Sequence, residues 1–423
     1  MVTAIIGAQW GDEGKGKIID YLSKNADITV RYHGGNNAGH TVINGYGKFA
    51  MHLIPSGIFN PKAKSIIANG VILDLEVLTD EVNALKKAKV KLEKRLIISP
   101  RCHVIMPYHK LLDKLYEEAK KGKNKTGTTG RGIGPCYADK VSYNGIRLAD
   151  LFNKKLFEEK LETQLLIKNK ILKSLGAKPL NKIEVEKELF PFFKELRPYI
   201  EEVFSTLNGA IDNKKNILLE GAQGMFLDND WGTYPYVTGS NSVAGAVTAG
   251  AGVPPNKIGK VIGVTKAYTT RVGGGPMPTE QLNSIGEKLR EVGQEFGATT
   301  GRKRRCGWLD LELIRFAVKI NGLSEIALTK LDILDDFESI KICTHYSLNG
   351  KKVQYEDGDA NFLGKVKPVY KIMKGWKKST KGLIKYSDLP KLAKEYIKEI
   401  EKNVGVKVTL VSTGQKRDEI IKI

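Results

Sequence analysis

The chain of 423 residues carries a formal net charge of +21, with 41% hydrophobic and 27% charged residues, a composition that excludes extensive disorder and is ordinary for a globular protein. No apolar stretch is long enough to span a membrane, and the first apolar run begins too early to leave room for a signal peptide, so we expect a cytoplasmic protein with no membrane partner. The four cysteines show no CxxC pair and no metal-ligand spacing, which predicts reduced thiols.

The first motif lies between an apolar run at 4–6 and a helix-like apolar run at 18–22, and reads Gly-Asp-Glu-Gly-Lys-Gly-Lys over 11–17. Glycines let backbone N–H groups approach an anion, lysines add positive charge, and the N-terminus of the next helix points at the same place. The motif therefore predicts a P-loop-like phosphate cradle after the first strand. It is not a Walker A motif, because no Ser or Thr follows Lys17, and we expect Asp12 to act instead as a Mg²⁺ ligand or a base.

A strand candidate at 28–32 leads into Gly-Gly-Asn-Asn-Ala-Gly-His-Thr at 34–41. Small residues suit close approach of the backbone to a ligand. His40 could donate to a developing oxyanion or to a phosphoryl oxygen, whereas a lone histidine is more often structural. The neighbouring Asn37 and glycines favour the first interpretation.

Two segments have a similar composition of threonine, glycine and arginine. The segment 126–135 is too polar for a core and predicts a loop that closes over an anion, with a plain surface turn as the alternative. The segment 296–305 is more basic, and its arginines match carboxylates or phosphates bidentately, so it is a candidate for binding an acidic substrate. A nucleic-acid site would use the same residues, but no aromatic side chains are interleaved with them for stacking on bases.

Several apolar strand candidates end directly in polar or glycine-rich clusters. The run at 217–219 leads to Glu220 and Gln223, that at 261–264 to Lys266, that at 326–328 to Lys330 and Asp332, and that at 408–411 to Ser-Thr-Gly at 412–414. Because ligands bind at the carboxyl ends of strands in open α/β sheets, these clusters predict one crevice and one catalytic domain over 1–423.

Strands that alternate with amphipathic helices predict an α/β fold with a mostly parallel central sheet flanked by helices. The stretch at about 153–215 is helical in pattern and rich in lysine and glutamate, so we expect a helical insertion or subdomain there. Asp332 follows a strand directly, and one carboxylate can accept both N1–H and N2–H₂ of guanine, which favours GTP over ATP. The stem of Lys330 could lie along the base.

Nine segments together resemble the adenylosuccinate synthetase family, and they occur in the family's order from end to end: 9–17, 37–41, 127–135, 220–224, 232–238, 266–268, 271–273, 297–302 and 329–332. The resemblance implies a ligase that converts IMP, L-aspartate and GTP to adenylosuccinate, GDP and phosphate through 6-phosphoryl-IMP, the first committed step of AMP biosynthesis. It also implies one Mg²⁺ per subunit and a homodimer.

The resemblance implies a role for each matching residue. Asp12 would remove the N1 proton of IMP, His40 would hydrogen-bond the transferring phosphoryl group and then protonate the departing phosphate, and Gln223 would hold the hypoxanthine. Mg²⁺ would be held by Asp12 and the Gly39 carbonyl. The expected GTP-binding residues are Gly11, Asp12, Glu13, Gly14, Lys15, Gly16, Lys17, Gly39, His40, Thr41, Arg304, Lys330, Leu331, Asp332, Ser412, Thr413 and Gly414. The expected IMP-binding residues are Asp12, Lys15, Asn37, Ala38, Gly39, His40, Thr129, Gln223, Thr238 and Arg302. The expected aspartate-binding residues are Ala298, Thr299, Thr300, Gly301, Arg302, Lys303 and Arg304.

Two positions depart from the family pattern. Tyr143 stands in the region where the family carries an arginine that reaches the IMP phosphate of the neighbouring subunit, so either Lys140 or Arg147 substitutes or that contact is weaker. Gln415 stands where the family prefers proline. The rival interpretations are a GTPase switch and a basic RNA-binding protein, and neither explains two Thr-Thr-Gly-Arg loops together with Asp12 inside a cradle. We expect no nucleic acid partner.

Overall fold

The computed structural model describes residues 1–122, 125–297, 301–355 and 360–423. Within these residues the central sheet has nine strands, every adjacent pair of which is parallel except the last, which is antiparallel. This architecture confirms the predicted α/β fold with a mostly parallel sheet. The strands lie in the order Leu96–Ile98 (β7), Lys64–Ile67 (β5), Ile28–Arg31 (β2), Ile217–Glu220 (β9), Val2–Gly7 (β1), Ile258–Lys266 (β10), Glu325–Thr329 (β14), Lys407–Ser412 (β18) and Ile420–Lys422 (β19).

The helices pack on both faces of this sheet, so that every residue of the central strand β1 is buried. Ala4 and Ile6 of β1 share one face of the sheet and Ile5 points to the other, and each of the three belongs to a different apolar cluster. The helices are Lys15–Leu22 (α1), Leu75–Lys87 (α2), Pro107–Ala119 (α3), Ile133–Val141 (α4), Lys154–Ser174 (α5), Lys182–Leu196 (α6), Val203–Asp212 (α7), Ala246–Ala251 (α8), Ser284–Gly293 (α9), Leu311–Asn321 (α10), Ala360–Lys365 (α11) and Lys391–Val404 (α12).

The stretch predicted as a helical insertion contains α5, α6 and α7. Phe157 and Leu161 of α5 are fully buried and share one apolar cluster with Leu78 of α2 and Ile98 of β7. Helices α5 and α6 therefore extend the core at the β7 edge of the sheet, whereas Val203 and Leu207 of α7 belong to the cluster that contains Val2 of β1. In the part of the chain that the structure describes, no helix combines the length and the apolar character needed to cross a membrane.

Short strands outside the main sheet frame the crevice or pack beside it. His40–Asn44 (β3) and Gly47–Met51 (β4) form a hairpin, and Thr269–Arg271 (β11) pairs with Arg305–Gly307 (β12). Ile72–Leu73 (β6) pairs with His103–Val104 (β8). A further sheet contains Leu309–Asp310 (β13), Ser339–Leu348 (β15), Lys351–Val353 (β16) and Lys367–Lys374 (β17).

Candidate active site

A cleft of about 1090 Å³ opens at the carboxyl edge of the central sheet, where a parallel α/β fold is expected to bind ligands. The strand-end clusters of β1, β9, β14 and β18 all contribute to its wall. Of the residues predicted from the sequence, those lining the cleft are Gly11, Asp12, Gly14, Lys15, Gly16, Lys17, Asn37, Ala38, Gly39, His40, Thr41, Thr129, Gln223, Thr238, Arg302, Arg304, Lys330, Asp332, Ser412 and Gly414.

Other predicted residues lie elsewhere. Glu13, Leu331 and Thr413 are fully buried behind the wall of the cleft, because their side chains point into the protein. Gly301 and Lys303 are exposed and do not line it. The predicted aspartate-binding residues Ala298, Thr299 and Thr300 lie outside the described residues.

The phosphate cradle connects β1 to the N-terminus of α1, as predicted. Gly11, Asp12 and Gly14 have positive φ values of 84°, 61° and 89°, which turn the backbone sharply before the helix begins at Lys15. A side chain at Gly16 would bring a Cβ within 2.8 Å of the His40 Cβ, so glycine there lets α1 approach β3 closely. The first turn of α1 and His40 consequently share one wall of the cleft.

Glu13 organises this cradle from within. Its Oε1 accepts the backbone N–H groups of Gln9 at 3.1 Å and Gly11 at 2.8 Å, and its Oε2 accepts the ammonium of Lys15 at 2.6 Å. The carboxylate is fully buried. The side chain of Glu13 therefore holds the loop and Lys15 in place, while only its backbone is available for contact with a phosphate.

Lys17 connects the cradle to the last turn of the sheet. Its Nζ donates to the Ser412 hydroxyl at 2.8 Å and to the carbonyls of Gly414 at 2.7 Å and Glu419 at 2.8 Å. Burial lowers the pKa of this ammonium to about 8. Lys17 was predicted to supply charge to phosphates, and in the structure it holds the segment that carries Ser412 and Gly414.

His40 is oriented by a carboxylate that the sequence analysis did not assign. Glu220, the last residue of β9, pairs through Oε1 with Nδ1 of His40, and it also accepts the N–H of Ser56 at 2.7 Å and the Ser56 hydroxyl at 2.9 Å. Burial is the main reason that the pKa of His40 falls to about 4, and the nearby charges of Arg31 and Lys15 contribute. Burial acts to raise the pKa of Glu220, but contacts with His40 and Arg31 outweigh it and lower that pKa.

Asp12 pairs with Arg304, whose Nε donates to Oδ2 of Asp12 at 2.8 Å. Nη1 of the same guanidinium reaches Oε2 of Glu295 at 2.6 Å. Glu295 also accepts the ammonium groups of Lys266 and Lys330, each at 2.9 Å. No sequence motif points to Glu295, which lies between α9 and the basic loop.

Three of the residues predicted to bind IMP form a chain of hydrogen bonds. Gln223 Nε2 donates to Asn37 Oδ1 at 2.9 Å, and Asn37 Nδ2 donates to the Thr238 hydroxyl at 3.2 Å. Gln223 has a positive φ of 46°, which is unusual for a residue other than glycine and turns its side chain out of the strand end.

The two hydroxyl-rich loops meet across the cleft. Arg302 donates from Nη1 and Nη2 to the carbonyl of Gly127, both at 3.1 Å. Two carboxylates one helical turn apart on α3 anchor the first loop: Asp113 accepts the Thr128 hydroxyl at 2.7 Å and the Gly132 N–H at 2.9 Å, and Glu117 accepts the Gly127 N–H at 2.6 Å. The sequence analysis did not assign a role to Asp113 or Glu117. Their i, i+4 spacing on a helix just before the loop could have indicated that both face it.

The predicted guanine end of the cleft begins where β14 ends. Lys330 adopts a positive φ of 57° and starts the short 3₁₀ turn Leu331–Leu334, which points Asp332 into the cleft. Burial raises the pKa of Asp332 to about 6, and Asp335 adds to the shift. Thr329 donates to the Glu13 carbonyl at 2.6 Å, so this strand end is fixed directly to the cradle.

Comparisons with known proteins agree along the whole chain. The family model described as adenylosuccinate synthetase matches residues 4–421. The adenylosuccinate synthetase of Clostridium botulinum (strain Hall) is 48% identical over 99% of this chain and 98% of its own length, and that of Trichlorobacter lovleyi is 49% identical over 99% of this chain and 97% of its own.

Solved structures show the same relationship. The fully ligated adenylosuccinate synthetase from Plasmodium falciparum superposes with a TM-score of 0.95 at 38% identity, covering 100% of this chain and 99% of that one. The succinoaminodeoxyadenylate synthetase of cyanophage S-2L shares the fold, with a TM-score of 0.62 at 18% identity over 100% of this chain and 95% of its own.

Proposed function

Because the chain belongs to the adenylosuccinate synthetase family, we propose that the cleft at the carboxyl edge of its sheet is where IMP and L-aspartate are joined with the use of GTP. The reaction forms a C–N bond through 6-phosphoryl-IMP and yields adenylosuccinate, GDP and phosphate. The observation that carries the assignment of the site is the convergence of Asp12, His40 and Gln223 on this one cleft.

Asp12 acts as the base that removes the N1 proton of IMP. Its pairing with Arg304 through Oδ2 fixes the carboxylate at the mouth of the cradle. The O6 oxyanion of IMP then attacks the γ-phosphoryl group of GTP, and the cradle amides and the N-terminus of α1 stabilise the charge that develops on the phosphates.

His40 acts on the transferring group through Nε2, because Nδ1 is engaged by Glu220. With a pKa of about 4, the buried imidazole is neutral near pH 7 in the free enzyme. The negative charge of an approaching phosphoryl group raises that pKa, so His40 can take up a proton, hydrogen-bond the group during transfer, and protonate the phosphate as the aspartate amine displaces it from C6.

The remaining substrate groups are held by the residues around these three. Gln223 binds the hypoxanthine, and Asn37, Thr129 and Thr238 bind the ribose phosphate end of IMP. Arg302 binds a carboxylate of L-aspartate, together with the segment 298–300, and Arg304 lies between the two nucleotides. Lys330, Asp332, Ser412 and Gly414 surround the guanine.

The donor set in the cradle fits a single Mg²⁺. Among the described residues no group of three or more His, Cys, Asp or Glu side chains could hold a metal ion alone. Mg²⁺ commonly uses one or two protein oxygens plus substrate phosphates, and Asp12 with the Gly39 carbonyl supplies such a set. When bound there, the ion would offset charge on the phosphates.

We also propose a cytoplasmic homodimer. Val141 and Tyr143, at the end of α4, are 71% and 97% exposed, so a second copy that contacts this end of α4 would cover both side chains. Lys140 lies over the ring of Tyr137 at 5.6 Å, whereas Arg147 is exposed. Arg147 is therefore the better candidate for the cation that reaches the partner's IMP phosphate in place of Tyr143.

The decisive assay combines Mg²⁺, IMP, L-aspartate and GTP, follows adenylosuccinate, and omits each component in turn. We expect product only from the complete mixture and little with ATP in place of GTP. GTP hydrolysis that does not depend on IMP would instead support a GTPase switch. Steeply salt-dependent binding to RNA, without ligation, would support the nucleic-acid interpretation.

A further inference from the structure

Glu295 is a buried carboxylate outside the cleft wall that contacts three cations, of which Arg304 and Lys330 line the cleft and Lys266 is fully buried. It is fully buried, and its two oxygens accept Lys266, Lys330, Arg304 and the hydroxyl of Tyr268. It lies in the turn after α9, where its N–H donates to the Arg290 carbonyl at 2.9 Å and its carbonyl accepts the Arg304 N–H at 2.9 Å. Its own position is therefore fixed by backbone contacts on both sides.

Two of these cations belong to different parts of the proposed site. Arg304 continues to Asp12, the proposed base, at 2.8 Å. Lys330 begins the 3₁₀ turn that points Asp332 into the cleft. The carboxylate of Glu295 is thus shared by Arg304, which orients the proposed catalytic base Asp12, and by Lys330, which starts the proposed guanine-binding turn.

The charge balance of this cluster depends on Glu295. Lys266 and Arg304 are buried, and Lys330 is 29% exposed at its side chain, so their mutual repulsion is poorly screened by water. Burial, with the charges of Arg304 and Lys330, lowers the pKa of Lys266 to about 8, and Glu295 opposes that shift. Without the carboxylate, Lys330 and Arg304 would lose the group that holds them together.

We propose that Glu295 is a positioning residue that couples guanine recognition to the catalytic base, by holding Lys330 and Arg304 on one carboxylate. The inference rests on the proposed roles of Asp12 and Asp332. It predicts that the choice of nucleotide and the rate of ligation respond together to one residue that touches neither substrate.

The test compares the Glu295→Gln variant with the wild-type chain, using GTP and inosine triphosphate, which lacks the 2-amino group. We expect the KM for GTP to rise about tenfold, kcat to fall about tenfold, and the preference for GTP over inosine triphosphate to shrink several-fold. Glu312→Gln is the matched control, because Glu312 is a buried acid paired with Arg315 and does not line the cleft. It is expected to keep all three parameters near the wild-type values.

A second variant covers the case in which Glu295→Gln does not fold. The double variant Glu295→Gln with Lys266→Gln removes one anion and one buried cation, so net charge is unchanged while Lys330 and Arg304 still lack their shared partner. We expect it to fold and to show the same weakened preference for GTP. The inference is overturned if either folded variant has a lower melting temperature but normal kcat and nucleotide preference.

The Asp12→Asn and Asp332→Asn variants separate this inference from the proposed function. If the Asp12→Asn variant has a normal kcat, the proposed role of Asp12 as the catalytic base is wrong, whatever the kcat of Glu295→Gln. If both Asp variants lose rate or specificity as expected and Glu295→Gln does not, only the coupling through Glu295 fails.

Discussion

Arg304 donates its Nε hydrogen to Oδ2 of Asp12 at 2.8 Å, so the carboxylate inside the phosphate cradle already has one oxygen engaged by a cation. The side chain of Asp12 is 26% exposed and that of Arg304 is 9% exposed. An aspartate fixed in this way is oriented toward the cleft, which is the requirement for a base that must reach a purine ring.

Asp12→Asn should therefore remove the base while keeping the shape of the cradle. We expect kcat to fall about a thousandfold, because an amide accepts no proton at neutral pH, with GDP affinity changed only a few-fold. Steady-state assays and calorimetric titration with GDP measure the two effects separately. A normal kcat would contradict the assignment.

Glu220→Gln tests the orientation of His40. Glu220 raises the pKa of His40, so its loss should lower that pKa further and shift the alkaline decline of kcat to lower pH, with kcat itself reduced about a hundredfold. Ser56→Ala removes one donor to Glu220 but keeps the carboxylate, and it should show a much smaller effect. A pH profile identical to that of the wild type would exclude the role of Glu220.

Asp332→Asn should change which purine the nucleotide site prefers, from guanine toward xanthine. An asparagine side chain offers an amide donor where guanine requires an acceptor, so kcat/KM should fall for GTP and rise for xanthosine triphosphate. The ratio of the two values measures the change directly. An unchanged ratio would count against Asp332 as the guanine-binding carboxylate.

The wild-type chain should also lose affinity for GTP in acid. Burial raises the pKa of Asp332 to about 6, so the carboxylate is ionised above that pH and protonated as the pH falls through it. The protonated acid loses acceptor capacity toward N1–H and N2–H₂. We expect the KM for GTP to rise below about pH 6 and Asp332→Asn to lack this rise. The same acidic rise in both proteins would assign it to another group.

Asp113→Asn and Glu117→Gln should loosen the loop that we propose holds the IMP phosphate. Each acid accepts N–H or hydroxyl groups of residues 126–132, and neither contacts the guanine end. We expect the KM for IMP to rise about tenfold in each variant, because charge-assisted hydrogen bonds of this kind contribute about 1.5–3 kcal/mol, while the KM for GTP stays unchanged. An equal rise in both KM values would indicate general destabilisation instead.

The sheet and the position of the cleft could be predicted from the sequence because both depend on local signals. An apolar run that ends in glycine or a charged residue marks the carboxyl end of a parallel strand, and β1, β9, β14 and β18 all follow this rule. The direction of a side chain depends on distant partners. Lys17 contacts Ser412, which is 395 positions away, and no local pattern indicates that contact.

The carboxylates Glu220 and Glu295 illustrate the same difference. Glu220 lies within a recognisable segment, so its position at the end of β9 could be predicted. Its pairing with His40 could not, because it depends on how β3 packs against the end of β9. Glu295 has no motif around it, and its importance becomes visible only when three cations from separate segments are brought to it.

The hydrogen bonds from Lys17 to the end of β18 and the turn after it also have a consequence for synthesis on the ribosome. The cradle is synthesised well before the oxygens that hold its second lysine, which belong to Ser412 at the end of β18 and to Gly414 and Glu419 in the turn that follows. The cradle of a nascent chain is therefore incomplete until residues 412–419 have left the exit tunnel, and we expect tight capture of GTP only after that point.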